Sequence, residues 1–161
     1  MSNPGKLAIQ DLYPDDFSHC FGCGRLNPQG HALKSFVEGE ETVARFTPRP
    51  HQISVPGFVY GGLLASLVDC HAMATAAAAA ERAAGRQIGD GPAPRFVTAV
   101  LHVEYLKPTP LGVELEIRGR VTERSDRKGV VAVTVSASGV ITVRGNVVAV
   151  RMPSSMERAH K

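Results

Sequence analysis

The spacing of hydrophobic and polar positions changes twice along the chain. Between residues 32 and 47 two short runs, ALKSFVEG and ETVARFT, flank a turn at Gly39 to Glu41, which predicts two short strands. A loop rich in Pro and Gly, PRPHQISVPG, follows. From Gly61 to about Ala83 no proline intervenes, and Leu63, Leu64, Leu67 and Val68 recur at helical spacing, so a long helix is expected there, with its end marked by Gly85. After the loop QIGDGPAP the period drops to two. Val113, Leu115, Ile117 and Val121 alternate with Glu114, Glu116, Arg118 and Arg120, the pattern of a strand with one wet face. Further strands are expected over 95–106, 129–138 and 140–152, with ERSDRKG and SASG as turns. Two strands, one long helix and four strands predict an α+β domain in which the helix covers one face of an antiparallel sheet.

Composition narrows this picture. A chain of 161 residues with 43% hydrophobic residues has the size of one domain. We divide it into an N-terminal extension and turn over 1–31, a core over 32–152 and a tail over 153–161. Lys and Arg number 18 against 15 Asp and Glu, with no run of like charge, so nucleic acid is not expected as a partner. The N-terminus lacks the apolar core of a signal peptide, and Asp69 and His71 break the most apolar stretch short of a membrane span. A cytoplasmic protein with no membrane partner is the expectation.

Three cysteines, Cys20, Cys23 and Cys70, suit reduced thiols better than a disulfide framework. A closed metal site needs four ligands, and one C-x-x-C with only His19 or His31 nearby supplies half of them. HCFGCGRLNPQG therefore reads as a turn, Cys70 reads as a small core residue, and no metal is expected.

The element order, together with VYGGLLASLVDC at the helix start, resembles the hotdog-fold acyl-CoA thioesterases of the phenylacetic-acid-degradation type. The likeness runs from CFGCGRLNPQG to VVAVRMP. It implies a sheet wrapped around the helix and a homodimer paired edge to edge, alone or doubled into a tetramer. It also implies an acyl-CoA substrate hydrolysed to free acid and CoA, with no cofactor beyond the CoA of the substrate. The family motif is His-Gly-Gly with an acid eight residues after the first glycine. Gly61, Gly62 and Asp69 match it, and Tyr60 stands where the histidine would be.

The resemblance gives these residues candidate roles. Gly61 sits at the helix N-terminus, where unpaired backbone N–H groups and the positive end of the macrodipole favour the oxyanion of a thioester carbonyl. Asp69 lies about 12 Å further along the helix at 1.5 Å per residue, too far to reach the carbon of the same carbonyl. The family's two-fold dimer would set Gly61 of one subunit opposite Asp69 of the other, as general base or as nucleophile. Without the family, a helix Asp reads equally as an exposed acid, and Gly-Gly as loop punctuation.

Thr98 aligns with a Ser or Thr that, in similar proteins, hydrogen-bonds the attacking water or the carboxylate. Its parity is opposite to that of Val97, Ala99, Leu101, Val103 and Tyr105, which leaves a solvent-facing position equally open. Ser54, with Gln52 close by, falls where relatives place a polar group near the carbonyl. Tyr60, Gly62, Phe58 and Met73 are candidates for the pocket wall, and Arg124, Arg127 and Lys128 for the CoA phosphates. Two other classes remain open: a hydratase or dehydratase on the same fold, and a non-catalytic acyl-CoA binding or sensing module.

Overall fold

The alanine-rich run folds into a single helix, α1 (Gly61–Ala83), and no side chain caps its first turn. Gly85, at φ +74°, ends it in the left-handed conformation that lets the last carbonyls bond back, as in the Arg86 N–H to Glu81 carbonyl bond of 2.9 Å. The structure, a computed structural model, describes residues 5–157. The first four residues of the N-terminal extension and the last four of the expected tail lie outside the described residues.

Six strands follow the expected places with ends shifted by at most three residues: β1 (Ser35–Glu38), β2 (Glu41–Phe46), β3 (Phe96–Tyr105), β4 (Leu115–Arg124), β5 (Lys128–Ala137) and β6 (Val140–Arg151). A one-turn helix, α2 (Ser154–Glu157), and two short 3-10 turns near the N-terminus had no sequence signal. The strands form one antiparallel sheet in the order β1-β2-β4-β5-β6-β3. The β5–β6 hairpin closes through Ser138 and Gly139, both at positive φ, as a tight two-residue turn requires.

The sheet curls around α1 so that the helix packs against all six strands. Burial therefore covers most of the helix circumference rather than one stripe: Leu63, Leu64, Leu67, Val68, Met73 and most of the alanines are buried. Opposite them lie Leu115, Ile117, Val131, Val133, Val135, Val143, Val147 and Ala149, the inward-facing positions of β4, β5 and β6. The alternation expected for β4 holds, with Glu116 and Arg118 on the outer face in an ion pair of 2.7 Å. By length and composition α1 is long enough to cross a membrane, so Asp69 and His71 do not shorten it below a span. Its apolar surface is instead consumed by the sheet.

Enclosing a helix obliges its polar side chains to find partners inside. His71 is fully buried, and its Nε2–H donates to the Thr42 carbonyl at 3.2 Å. Its Nδ1 accepts from the Ser35 hydroxyl at 2.8 Å, and Ser35 accepts in turn from the Gln10 amide at 2.9 Å. The Thr42 hydroxyl donates to Thr75, which donates to the His71 carbonyl at 2.8 Å. A neutral imidazole protonated at Nε2 satisfies all of these bonds. The same network explains Gly119 on β4, where a Cβ would lie 2.5 Å from Thr75 Oγ1.

Burial lowers the pKa of His71 from 6.5 to about 4. The unfolded chain therefore takes up a proton at a higher pH than the folded one, so this contribution to stability is full above pH 6.5 and is lost as pH falls towards 4. At 1.36 kcal/mol per pKa unit the loss is about 3 kcal/mol. Denaturant unfolding of the wild type and His71→Gln should show the wild-type advantage shrinking by that order over this window. A difference constant with pH would contradict the buried neutral imidazole.

Candidate active site

The start of α1 is held by the loop before it. Val59 N–H donates to the Thr109 carbonyl at 2.9 Å and Leu111 N–H to the Gly57 carbonyl at 2.9 Å, and isolated bridges join Phe58 to Pro110 and Ile53 to Val59. Tyr105 at the end of β3 donates its hydroxyl to the Gly61 carbonyl at 2.7 Å. Helix geometry leaves the first N–H groups without intrahelical acceptors, and here no side chain caps them.

A groove of about 460 Å³ opens at this helix end, lined among others by Ser54, Phe58, Gly61, Leu64, Tyr105 and Lys107. Ser54 and Phe58 are thus brought to Gly61. The Gln52 side chain is engaged elsewhere, accepting from Arg49 N–H at 2.7 Å and lying 3.3 Å from His31 Nδ1. The Tyr60 ring folds back over Gly62, where a Cβ would lie 2.5 Å from it. Met73 is buried in the core and does not line this groove. None of the residues lining the groove is an acid.

The acid stands two turns further along. Asp69 is half-buried, and the Thr98 hydroxyl donates to its Oδ1. The parity argument that left Thr98 open to solvent fails because β3 carries a bulge between Thr98 and Val100. Before the bulge Thr98 pairs with Ala149. After it Leu101, Val103 and Tyr105 pair with Val147, Gly145 and Val143, all inward positions of β6. The extra residue, Ala99, shifts the alternation by one, so Thr98 and Tyr105 both face the helix.

β3 is also the last strand of the sheet, and its outer edge has no partner among the described residues. Val100, Leu101 and Tyr105 are exposed along it. Arg124 and Lys128 flank a small recess with Ala76, Ala80 and Phe96, and the backbone of Arg127 bonds Arg151 at 2.9 Å. These cations lie on the Asp69 side of the molecule, since Phe96 and Thr98 are neighbours on the same inward face of β3. Tyr105 and Lys107 at the groove were missed in the sequence. Tyr105 had no signal without the bulge, and Lys107 stood alone in VEYLKP.

Burial raises the pKa of Asp69, and the Thr98 hydrogen bond opposes that rise. A carboxylate held in this way is more basic than an ordinary one. Removing the donor by Thr98→Val should move the Asp69 titration to still higher pH, measured by NMR on the side-chain carboxyl carbon. A downward shift would contradict the geometry.

Comparison with known proteins places these features. A family model described as thioesterase superfamily matches residues 56–150. A crystal structure of a thioesterase superfamily protein from Shewanella loihica PV-4 is 47% identical, covering 86% of this chain and 98% of that one at a TM-score of 0.66. Two more distant structures share the fold: the Escherichia coli PaaI protein from the phenylacetic acid degradation operon and a hypothetical thioesterase from Streptococcus pneumoniae TIGR4 with coenzyme A. The first is 16% identical, covering 75% of this chain and 78% of that one, at a TM-score of 0.60. The second is 17% identical, covering 71% and 83%, at 0.57. Among curated proteins no match is found.

Proposed function

This chain belongs to the thioesterase superfamily, and we propose that it is an acyl-CoA thioesterase whose site is shared between two copies of the chain. The observation that carries this reading is a separation. The uncapped N-terminus of α1 opens on a groove with no acid lining it, and Asp69 sits on the same helix about 12 Å away at 1.5 Å per residue. Each half of a thioester-cleaving site is present, and neither is complete.

A second copy paired along β3 would supply the missing half. The unpartnered edge with its exposed Val100, Leu101 and Tyr105 supports such pairing, which would extend the sheet across both copies. In that homodimer the Gly61 N–H polarises the thioester carbonyl and holds its developing negative charge. Asp69 of the partner subunit takes a proton from water as the water attacks the carbonyl carbon, and returns it to the CoA sulfur as the C–S bond breaks. The alternative route has the carboxylate attack first, giving a mixed anhydride that water then cleaves. Thr98 holds the carboxylate in place, and neither route calls on a cofactor.

Ser54, Phe58, Gly62 and Tyr60 form the acyl side of the site, with Tyr60 as an aromatic wall in the place of the family histidine. Arg124, Arg127 and Lys128, on the Asp69 side, offer positive charge to the CoA phosphates. A cytoplasmic location is supported by the three free cysteines.

Incubation with a panel of acyl-CoAs and a thiol reagent tests the reaction class. CoA release is expected. Hydration of an enoyl-CoA without thiol release would make it a hydratase, and binding without turnover a sensing module, the reading that Tyr60 in place of histidine permits. Asp69→Asn should lower kcat by about 10²- to 10⁴-fold, the usual worth of a general acid–base group, while acyl-CoA binding persists. Near wild-type turnover in that variant would remove Asp69 from the chemistry.

A further inference from the structure

The loop between the N-terminal 3-10 turns and β1 brings two thiols to a third that the sequence places 50 residues away. Cys20 Sγ lies 3.8 Å from Cys70 Sγ on α1, and the sulfurs of Cys20, Cys23 and Cys70 all lie within 4.8 Å of one another. Zinc–thiolate bonds of 2.3 Å in tetrahedral array put their sulfurs about 3.8 Å apart. Cys20 and Cys70 stand at that spacing, and Cys23 lies within 4.8 Å of both.

The surroundings are built for such a cluster. Gly24 N–H bonds the Cys20 carbonyl at 2.8 Å, closing the C-x-x-C turn. Gly22 is pressed against the helix, where a Cβ would come 2.3 Å from Cys70 Sγ. Cys23 and Cys70 are buried, while Cys20 is half-exposed and gives an entry path. The buried hydroxyl of Tyr13 has no hydrogen-bond partner among the described residues. The Arg95 guanidinium stands 4.8 Å over the Tyr13 ring and acts on Cys23 as well.

We propose that Cys20, Cys23 and Cys70 bind one thiophilic d10 cation, zinc or copper(I), which ties the N-terminal loop to the middle of α1. Three thiolates around a zinc ion carry one net negative charge, which the nearby Arg95 guanidinium offsets, and a water fills the fourth position. The sequence reading stopped at half a ligand set because it sought the missing donor among nearby histidines. His31 instead packs on Phe21, with ring centroids 4.8 Å apart, and the third ligand comes from the helix. The role is structural. Cys70 follows Asp69 in the chain, so the ion fixes the segment that carries the acid, whatever reaction that acid serves.

The test uses the full-length protein produced with zinc in the medium and dialysed against metal-free buffer. Elemental analysis should give one zinc or copper per chain, and Cys20→Ser and Cys70→Ser should retain none. Cobalt(II) loaded into the wild type should show thiolate-to-cobalt charge transfer at the intensity of three sulfur ligands, a readout that needs no variant to fold. A metal-free wild type that also fails to bind cobalt would overturn the proposal. So would metal content unchanged in both folded variants, or a disulfide among these cysteines by mass in protein kept under zinc.

Discussion

Everything in this molecule follows from wrapping a six-stranded sheet around one helix. A helix that touches every strand has little solvent-facing surface left, which suits the many small alanines of α1, and Val68 packs so closely on β6 that only Gly145 fits opposite it. Enclosure also dictates where polarity is tolerated. His71 and Thr75 face the sheet interior and are bound to Ser35, Thr42 and Gln10 in a closed chain. Asp69, by contrast, sits where the sheet stops at β3, half in water, with one hydrogen bond from Thr98. The unfinished edge of the sheet is what leaves a carboxylate available for chemistry.

The same geometry separates the two groups that the proposed thioester cleavage would use. A helix end offers free N–H groups only at its first turn, and an acid needs the support of β3 to be held. β3 runs past the helix in the opposite sense, putting Tyr105 at Gly61 and Thr98 at Asp69. One strand therefore braces both groups while the rise of the helix keeps them about 12 Å apart. A two-fold partner, rather than a conformational change, is the economical way to bring them onto one carbonyl.

Much of this was legible in the sequence because its signals are local. The helix runs over the expected residues, since a proline-free apolar run and a terminating glycine act within a turn or two. The alternation of Leu115, Glu116, Ile117 and Arg118 likewise gave the inner and outer faces of β4. Three features were not legible, each because it depends on residues far apart in the chain or on one irregular bond pattern. The bulge at Ala99 reversed the parity of β3, which hid Tyr105 and left Thr98, offered by the resemblance, undecided between the acid and solvent. The third thiol near Cys20 and Cys23 comes from the helix. The apolar run of α1, which Asp69 and His71 were expected to cut short of a membrane span, is long enough for one, and only the distant strands that enclose it account for its surface.

Mixing two defective chains tests the shared site most directly. Asp69→Asn lacks the carboxylate. Gly61→Pro lacks the N–H, and the fold should accept it, because proline suits the first helical position and Tyr60 at φ −61°, ψ 128° already has the extended conformation proline demands of its predecessor. Each alone should be nearly inactive. After subunit exchange in equal amounts half the dimers are mixed, and each carries one intact site of two, so about a quarter of wild-type turnover should return. No recovery from two folded variants that demonstrably exchange subunits would contradict the shared site.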